Sequence, residues 1–354
     1  MGGQGRKSGK EPKSNSSQSR KSSRSSAKTI FSATTESSSK TVSTTDSSFP
    51  RLVFENGVLD PLNSVPPENL GYLQDRLNRA RDTKSPTESE YQDFVYRTQE
   101  APNEQTMLLE TSKLLKEYGR GYRRVYNQAL SNFPKSVGFN TGLSAPQPDM
   151  IEGLDLREFK PFPVRQELGG AAVPTSETNA TTLPHLAGEW KAGGKDMIQA
   201  RTQAAYDGAC MVYGRHEARS FLKSPDPVSH AYIQTFTTDG TTLNTFAHYL
   251  SESQDQVKYY QYPTSSSFLI SSYEDFKQSR RRLRNQQDDA NETSVQLRDE
   301  LNQKWLTNHR SPVTPSVLAE TADSTATNSY EYRDGEDLTN QLLAEYWTSF
   351  PTNN

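Results

Sequence analysis

Apolar residues recur every three or four positions along much of the chain, which is the spacing of an amphipathic helix. Leu70, Leu73 and Leu77 show this spacing, and Ala204 and Ala205 make one later segment suitable for close packing on a sheet. Helices are therefore predicted within residues 67–82, 86–100, 104–118, 122–132, 195–222, 268–284 and 291–306.

Short apolar runs, some alternating with polar residues, predict strands elsewhere in the ordered chain. The Asp239-Gly240 pair between two such runs is typical of a β-hairpin turn. Gly169-Gly170 and the Ser- and Thr-rich residues 175–182 predict a loop. Strands are predicted at residues 51–57, 150–154, 183–190, 231–236, 242–250 and 257–262.

The two ends of the chain differ in composition from the middle. Residues 1–48 are mainly Ser, Thr, Lys and Arg, so they can bury too little apolar surface to offset the entropy of ordering. We therefore expect a disordered basic tail over 1–48, one folded domain over 49–306 and a mostly disordered tail over 307–354. Apolar residues at helical spacing predict a short docking helix at 337–347 within the last tail.

Composition also narrows the class of protein. The net charge is −3 although the first 48 residues are basic, so the folded part is acidic and any nucleic-acid contact must be local. A single cysteine, Cys210, excludes an internal disulfide and a thiolate metal cluster. Without an apolar signal region or a membrane span, an intracellular protein is expected, nuclear or cytoplasmic and not secreted. Arg6-Lys7 and Arg20-Lys21 fit a nuclear import signal and a solubilising tail equally well.

Two segments carry the candidate chemistry. Asp149 begins one apolar run, and 40 residues later Glu189 and Lys191 end another. Because successive side chains of a strand point to opposite faces, Glu189 and Lys191 share one face and Trp190 points into the core. Two carboxylates from adjacent strands can bind Mg²⁺ or Mn²⁺, and the ammonium can hold a water or offset charge. The alternative interpretation is a surface ion pair between Glu189 and Lys191, which contributes little.

The helix predicted directly after Glu189 adds a third element. Gln199, Gln203 and Tyr206 lie three or four residues apart on it and therefore share a face. If this helix packs behind the strand of Glu189, Gln203 can hold water or phosphate at the metal site. The alternative is a polar side that faces solvent, and Asp207, beside this face, is expected to be structural.

These segments resemble the PD-(D/E)XK nuclease-like superfamily, and most of all uncharacterised fungal proteins with such a domain. The resemblance rests on residues 146–149, 183–191 and 199–208, extends over about 50–306 and excludes both tails. It implies an α/β fold with a restriction-endonuclease-like core, in which a central mixed sheet is flanked by helices, here with added N-terminal helices.

The resemblance also implies roles for single residues. Asp149 corresponds to the motif aspartate, Glu189 and Lys191 to the Glu-x-Lys pair, and Gln203 to the helix glutamine of some branches. These four form the implied catalytic set, with Asp149 and Glu189 as the ligands of Mg²⁺ or Mn²⁺.

Further positions extend this site. The superfamily often adds a glutamate from a helix before the sheet, and Glu110 and Glu117 are both candidates. Two basic clusters, each also compatible with a solvated helix face, are candidates for contact with a phosphate backbone. The candidate nucleic-acid contacts are Arg123, Arg124, Arg280, Arg281 and Arg282.

Two functions follow from the sequence. The first is a metal-dependent nuclease-like domain that hydrolyses phosphodiester bonds of DNA or RNA and has no membrane partner. The second is a catalytically inactive nuclease-fold protein that serves as a scaffold for nucleic acid or protein, since the superfamily contains inactive members. The five histidines show no metal-ligand spacing, and no Gly-x-Ser-x-Gly motif indicates a serine hydrolase.

Overall fold

Seven strands pair into one mixed sheet within residues 41–253 and 256–309, the part of the chain that the computed structural model describes. In chain order they are β1 (Val58–Leu59), β2 (Tyr122–Tyr126), β3 (Met150–Asp155), β4 (Thr181–Trp190), β5 (Ile233–Thr238), β6 (Thr242–Ser253) and β7 (Gln256–Phe268). The spatial order is β1-β7-β6-β5-β4-β3-β2. The pairs β4–β5 and β1–β7 are parallel and the others antiparallel, which makes the sheet mixed.

Helices cover both faces of this sheet. In chain order the α-helices of the described residues are α1 (Phe49–Glu55), α2 (Leu70–Asn78), α3 (Glu88–Gln99), α4 (Glu104–Thr111), α5 (Val164–Ala172), α6 (Met197–Leu222) and α7 (Tyr273–His309). The long helix α6 packs on β4, β5 and β6, and α7 packs on β3, β4, β5 and β7. The predicted fold class, α/β with a central mixed sheet flanked by helices, is confirmed.

Each face of the sheet has its own apolar core. Ile151 of β3 packs with Tyr206 of α6 on one side, in a cluster that also contains α1. Met150 and Trp190 pack with Phe276 of α7 on the other side. Neighbouring residues of one strand thus serve different cores, as the alternation of a strand requires.

Helix α6 approaches the sheet most closely at Gly208. A Cβ atom at this position would lie 2.1 Å from Nδ1 of the buried His248 on β6, so no other residue fits without moving the imidazole. Ala204, Ala205 and Ala209 are also buried on this helix. The prediction that small residues let this helix pack closely on a sheet is therefore confirmed.

Two predicted elements near the N-terminus were wrong in type. Residues 51–57 were predicted to be a strand, but they lie largely in α1, where Phe49 and Val53 are buried one turn apart and Pro50 occupies the first turn. Residues 122–132 were predicted to be a helix, but 122–126 form β2, because each residue pairs with a partner on β3. Both errors concern short segments, in which spacing alone does not separate helix from strand.

Two further segments differ from the prediction. The predicted helices 268–284 and 291–306 are one helix, α7, whose middle is polar yet buried. Gln286, for example, is fully buried and donates a hydrogen bond from Nε2 to the Thr235 carbonyl at 3.0 Å. The Gly169-Gly170 pair, predicted to lie in a loop, belongs to α5, which bends at Gly169 (φ 56°). Burial against the sheet accounts for the first of these two outcomes.

The tails predicted to be disordered and the docking helix at 337–347 lie largely outside the described residues. Within those residues, Val42 pairs with Leu143 as an isolated bridge, so the fold begins before the predicted start at Phe49. None of the helices in the described part is long and apolar enough to cross a bilayer.

Candidate functional site

The pairing of β3 with β4 brings Asp149 next to Glu189. The strands are antiparallel with Met150 opposite Gly188, so the start of β3 lies beside the end of β4. The Asp149 carboxylate accepts a hydrogen bond from the Trp190 backbone N–H at 2.7 Å, and the Asp149 N–H donates to Glu189 Oε1 at 3.3 Å. Two acids that are 40 residues apart in the sequence therefore lie next to each other at one end of the β3–β4 pair.

Lys191 lies beside these carboxylates. Its Nζ is 3.9 Å from Glu189 Oε2 and donates a hydrogen bond to the Trp190 carbonyl at 2.7 Å. The Trp190 ring points to the other side, where it packs edge-to-face on Phe236 at 5.0 Å and its Nε1 donates to Thr111. The structure thus places Asp149, Glu189 and Lys191 together and Trp190 in the core.

Asp207 of α6 completes a buried acidic pair. Its carboxyl group faces that of Glu189, and the two side chains expose 3% and 2% of their surface. Burial and the neighbouring acids raise the pKa of Glu189 well above its usual value, and burial raises the pKa of Asp207 to about 7. The pKa of the half-buried Asp149 is also raised, chiefly by burial. Lys191 is the cation that opposes these effects, and the acids of the site outnumber it.

Gln203 lies one turn before Asp207 on the same face of α6. Its Oε1 is buried and accepts no hydrogen bond within the described residues, and the same is true of Asp207 Oδ2. Buried acceptors without a donor are rare and indicate a position for a water or a cation. Tyr206, predicted to lie on the same face, instead packs on Phe49 and donates its hydroxyl to the Ser144 carbonyl.

A helix glutamate does reach this site, but it is Glu104. Its Oε2 lies 3.5 Å from Lys191 Nζ, at the first residue of α4, where the Asn103 side chain caps the helix. The two candidates predicted from the sequence lie elsewhere: Glu110 pairs with Lys113, and Glu117 pairs with Arg124. Within the part of the chain that the structure describes, only Glu104 of these three glutamates forms an ion pair with a residue of the site.

The arginines predicted to contact nucleic acid divide into two groups. Arg124 is nearly buried and donates to Glu152 Oε1 at 2.6 Å and to Glu117, so its contacts are those of a structural residue. Arg123 beside it on β2 is partly exposed, with Asp155 3.9 Å away. The other three lie on α7, where Arg280 and Arg281 line a cleft and Arg282 donates to Asn78. Within the described residues, none of the five arginines forms an ion pair or a hydrogen bond with Asp149, Glu189 or Asp207.

The oxygen atoms of the carboxylate site are of the type that hard divalent cations prefer as ligands. No group of three His, Cys, Asp or Glu side chains in the described residues is arranged to hold a metal ion. Mg²⁺, however, is commonly held by one or two carboxylates, with water and substrate oxygens as its remaining ligands. Asp149 and Glu189 supply that number, and the buried Asp207 oxygen without a hydrogen-bond partner is a further candidate ligand.

The sequence indicated part of this site and missed the rest. Asp207 was expected to be structural, and no sequence motif includes Glu104. The only sequence signals were the spacing of four residues between Gln203 and Asp207 and the capping residue before Glu104. Neither signal identifies a site, because the packing of α4 and α6 against the end of β4 brings both acids there.

The fold and these residues define an α/β domain with a buried acidic site at the end of its central strands. Residues 97–307 match the family model described as "Domain of unknown function (DUF7924)", and the chain belongs to that family. The matched segment contains all the carboxylates of the site and Lys191. No curated protein matches the chain at a significant level.

Proposed function

We propose that this protein is a metal-dependent phosphodiesterase of the nuclease type, related to the PD-(D/E)XK superfamily, that acts on DNA or RNA. The observation that carries this proposal is the convergence of Asp149 and Glu189, joined by a hydrogen bond of 3.3 Å from the Asp149 N–H, with Lys191 Nζ 3.9 Å from Glu189. Such a set of groups matches what hydrolysis of a phosphodiester requires.

Each residue of the site has a distinct role in this proposal. Asp149 and Glu189 hold Mg²⁺ or Mn²⁺, and the hydrogen bond from the Trp190 N–H fixes the Asp149 carboxylate toward β4. A bound divalent cation supplies charge neutralisation at the phosphate and a water of lowered pKa. Lys191 positions that water or offsets the negative charge that develops on the phosphate. Gln203, with its unpaired Oε1, orients water at the same place.

Metal binding is tested by thermal unfolding of the full chain. Mn²⁺ at millimolar concentration should raise the melting temperature of the wild type, because it binds the folded state alone. Asp149→Ala should abolish this increase. Glu110→Ala is the matched control, since Glu110 pairs with Lys113 away from the site. No increase with the wild type would exclude a metal site of useful affinity.

Activity is tested on single- and double-stranded DNA and RNA with Mg²⁺ or Mn²⁺. We expect cleavage by the wild type and the Glu110→Ala control, and loss of at least about a hundredfold in Glu189→Ala and Lys191→Ala. Cleavage that persists in these variants would come from another site or from a contaminating nuclease, and it would contradict the assignment.

The burial of the site supports a second candidate function, a catalytically inactive domain that serves as a scaffold. Glu189 and Lys191 expose only 2% and 7% of their surface, although a substrate phosphate must reach the cation. In that case the metal would stabilise the fold without hydrolysis. A metal-induced rise in melting temperature without cleavage of any of the four substrates would favour this function over the first.

We also place the site of action inside the cell, in the nucleus or the cytoplasm. The support is the pair of basic motifs, Arg6-Lys7 and Arg20-Lys21, in the N-terminal tail. A fluorescent fusion with and without residues 1–40 tests whether that tail directs nuclear import. Equal distribution of both fusions would leave the tail with no role in import.

A further inference from the structure

A second concave surface lies between the first half of α7 and residues 80–86. We call it the arginine cleft. Its volume is about 440 Å³, within the range of small-molecule sites. Two carboxylates, of Glu274 and Asp275, and six cationic side chains line it. The cations belong to Arg81, Lys84, Lys277, Arg280, Arg281 and Arg284.

The acids near the cleft already have other partners. Glu274 pairs with Lys277 at 2.6 Å, and Asp275 accepts hydrogen bonds from the hydroxyls of Ser271 and Ser272 at 2.8 and 2.7 Å. Glu90, whose charge acts on this region, accepts the hydrogen bonds that cap α3. Arg81 is also paired with Asp288 at 2.5 Å. With Glu274, Asp275 and Glu90, four carboxylates thus act on the six cations of the cleft, so positive charge remains in excess.

Several cations of the cleft lack an internal counterion. Within the described residues, Lys84, Arg280 and Arg281 form no ion pair and no hydrogen bond with protein groups. The Nε atoms of Arg81 and Arg281 are buried without a hydrogen-bond acceptor. Buried donors without acceptors are rare in folded proteins and require a partner such as water or a ligand.

Burial and neighbouring positive charges both act on the guanidinium of Arg284. Burial, Arg280 and Arg81 together lower the pKa of Arg284 to about 10. Arg284 is fixed in this position because it donates to the Leu114 and Leu115 carbonyls at 2.8 and 3.1 Å. The cations are held close to one another by the fold, and an anion between them would relieve the repulsion.

We propose that the arginine cleft binds a compact ligand that carries two or more phosphate groups. Guanidinium groups match phosphate oxygens with two parallel hydrogen bonds, and two or more phosphates are needed to meet three unpaired cations. A nucleic-acid strand fits less well, because the lining contains no aromatic ring on which a base could stack.

Titration calorimetry of the full chain without divalent metal tests this proposal independently of the carboxylate site. The probes are tripolyphosphate, citrate as a multiply charged anion without phosphate, and a single-stranded oligonucleotide. We expect tripolyphosphate to bind more tightly than the other two, and the Arg280→Gln/Arg281→Gln double variant to lose at least about tenfold in affinity. Arg282→Gln is the matched control on the same helix and should bind like the wild type, because Arg282 donates to Asn78 outside the cleft.

A milder substitution guards against misfolding of the double variant. Lys84 is exposed on the loop that borders the cleft, and Lys84→Gln should weaken tripolyphosphate binding severalfold without a change in melting temperature. Absence of binding, equal affinity for citrate, or equal affinity in the Arg280 and Arg281 variant would overturn the proposal. Tighter binding of the oligonucleotide that depends on the same arginines would also overturn it and assign the cleft to nucleic acid.

Discussion

Two buried glutamates on neighbouring strands, Glu152 of β3 and Glu189 of β4, show how differently one sheet can treat the same chemical group. Glu152 is fully buried on the side of α7, where its carboxylate accepts hydrogen bonds from Arg124 at 2.6 Å, from Gln287 at 2.9 Å and from the Tyr122 hydroxyl. Every oxygen of this carboxylate has a donor, and a full counterion stands beside it.

Glu189 lies on the side of α6 and has no such compensation. Its nearest cation, Lys191, is 3.9 Å away and is shared with Glu104, and its other neighbours, Asp149 and Asp207, are also acids. Burial of a charge without a partner costs several kcal/mol. A buried carboxyl group is therefore either neutralised by a raised pKa or paired with a cation. The comparison indicates that Glu152 holds the structure together, while Glu189 lacks a close counterion and has a raised pKa, which is consistent with the cation site proposed above.

The largest effect is expected where the compensated pair is broken. Arg124→Ala leaves Glu152 buried without its counterion and should lower the free energy of unfolding by about 3–5 kcal/mol. Arg51→Ala is the control, because its pair with Glu55 on α1 is largely exposed on both sides, and it should cost less than about 1 kcal/mol. Urea denaturation measures both. A similar loss in the two variants would contradict the structural role assigned to Glu152.

Two buried histidines extend the comparison, because burial favours the neutral form of their imidazole rings. Burial lowers the pKa of His185 and His248 to about 3, and their ring contacts are with the hydroxyls of Tyr122 and Thr235. The unfolded histidines take up a proton near pH 6.5 and the folded ones do not. Each buried histidine therefore makes its full contribution to the free energy of unfolding above that pH. The contribution declines as the pH falls toward 3, and about 2–3 kcal/mol of it is lost at pH 4.5.

His248→Gln isolates this contribution. The wild-type free energy of unfolding, measured in urea between pH 7 and 4.5, should fall more steeply than that of the variant, by close to one proton in the slope. His309→Gln, at an exposed position, is the control and should leave the slope unchanged. Parallel curves for wild type and His248→Gln would show that this imidazole is protonated in the folded state.

The fold could be predicted from the sequence where one periodicity extended over many residues. The small residues of α6 and the alternation around Trp190 gave the right element and the right faces. The polar middle of α7 interrupted its helical pattern, because Gln286 and its neighbours bond to the sheet in place of packing as apolar residues. Short segments such as β2 depend on pairing with β3, which no local pattern contains.

The candidate site, like the fold, was predictable only in part. Asp149, Glu189 and Lys191 lie on or next to two strands, and strand alternation with pairing was enough to bring them together. Asp207 and Glu104 reach the site through the packing of α6 and α4, so their proximity is a property of the tertiary structure. The difference between Glu152 and Glu189 could not be predicted either, because it depends on which cations the fold brings near each carboxylate.

A smaller change in the free energy of unfolding tests whether the carboxyl groups of Asp207 and Glu189 repel each other. This change should have opposite signs in two variants. Asp207→Asn removes a charge that faces Glu189, and it should raise the free energy of unfolding by about 1–2 kcal/mol at pH 8 without metal. Asp288→Asn is the matched control, because Asp288 has Arg81 and Lys116 as counterions and its loss should destabilise the protein. Destabilisation by both substitutions would mean that Asp207 is as well compensated as Asp288.

The smallest effect concerns Glu104, which lies at the open side of the carboxylate site with 45% of its side chain exposed. Glu104→Gln should change the free energy of unfolding by less than about 0.5 kcal/mol, since exposed ion pairs contribute little. It should nevertheless reduce the Mn²⁺-induced rise in melting temperature, because one of the acids that attract the cation is lost. Glu100→Gln, an exposed acid on the preceding turn, is the control and should retain the full rise. If Glu104→Gln also retains it, Glu104 serves only as a surface partner of Lys191, and the cation depends on the strand carboxylates and Asp207 alone.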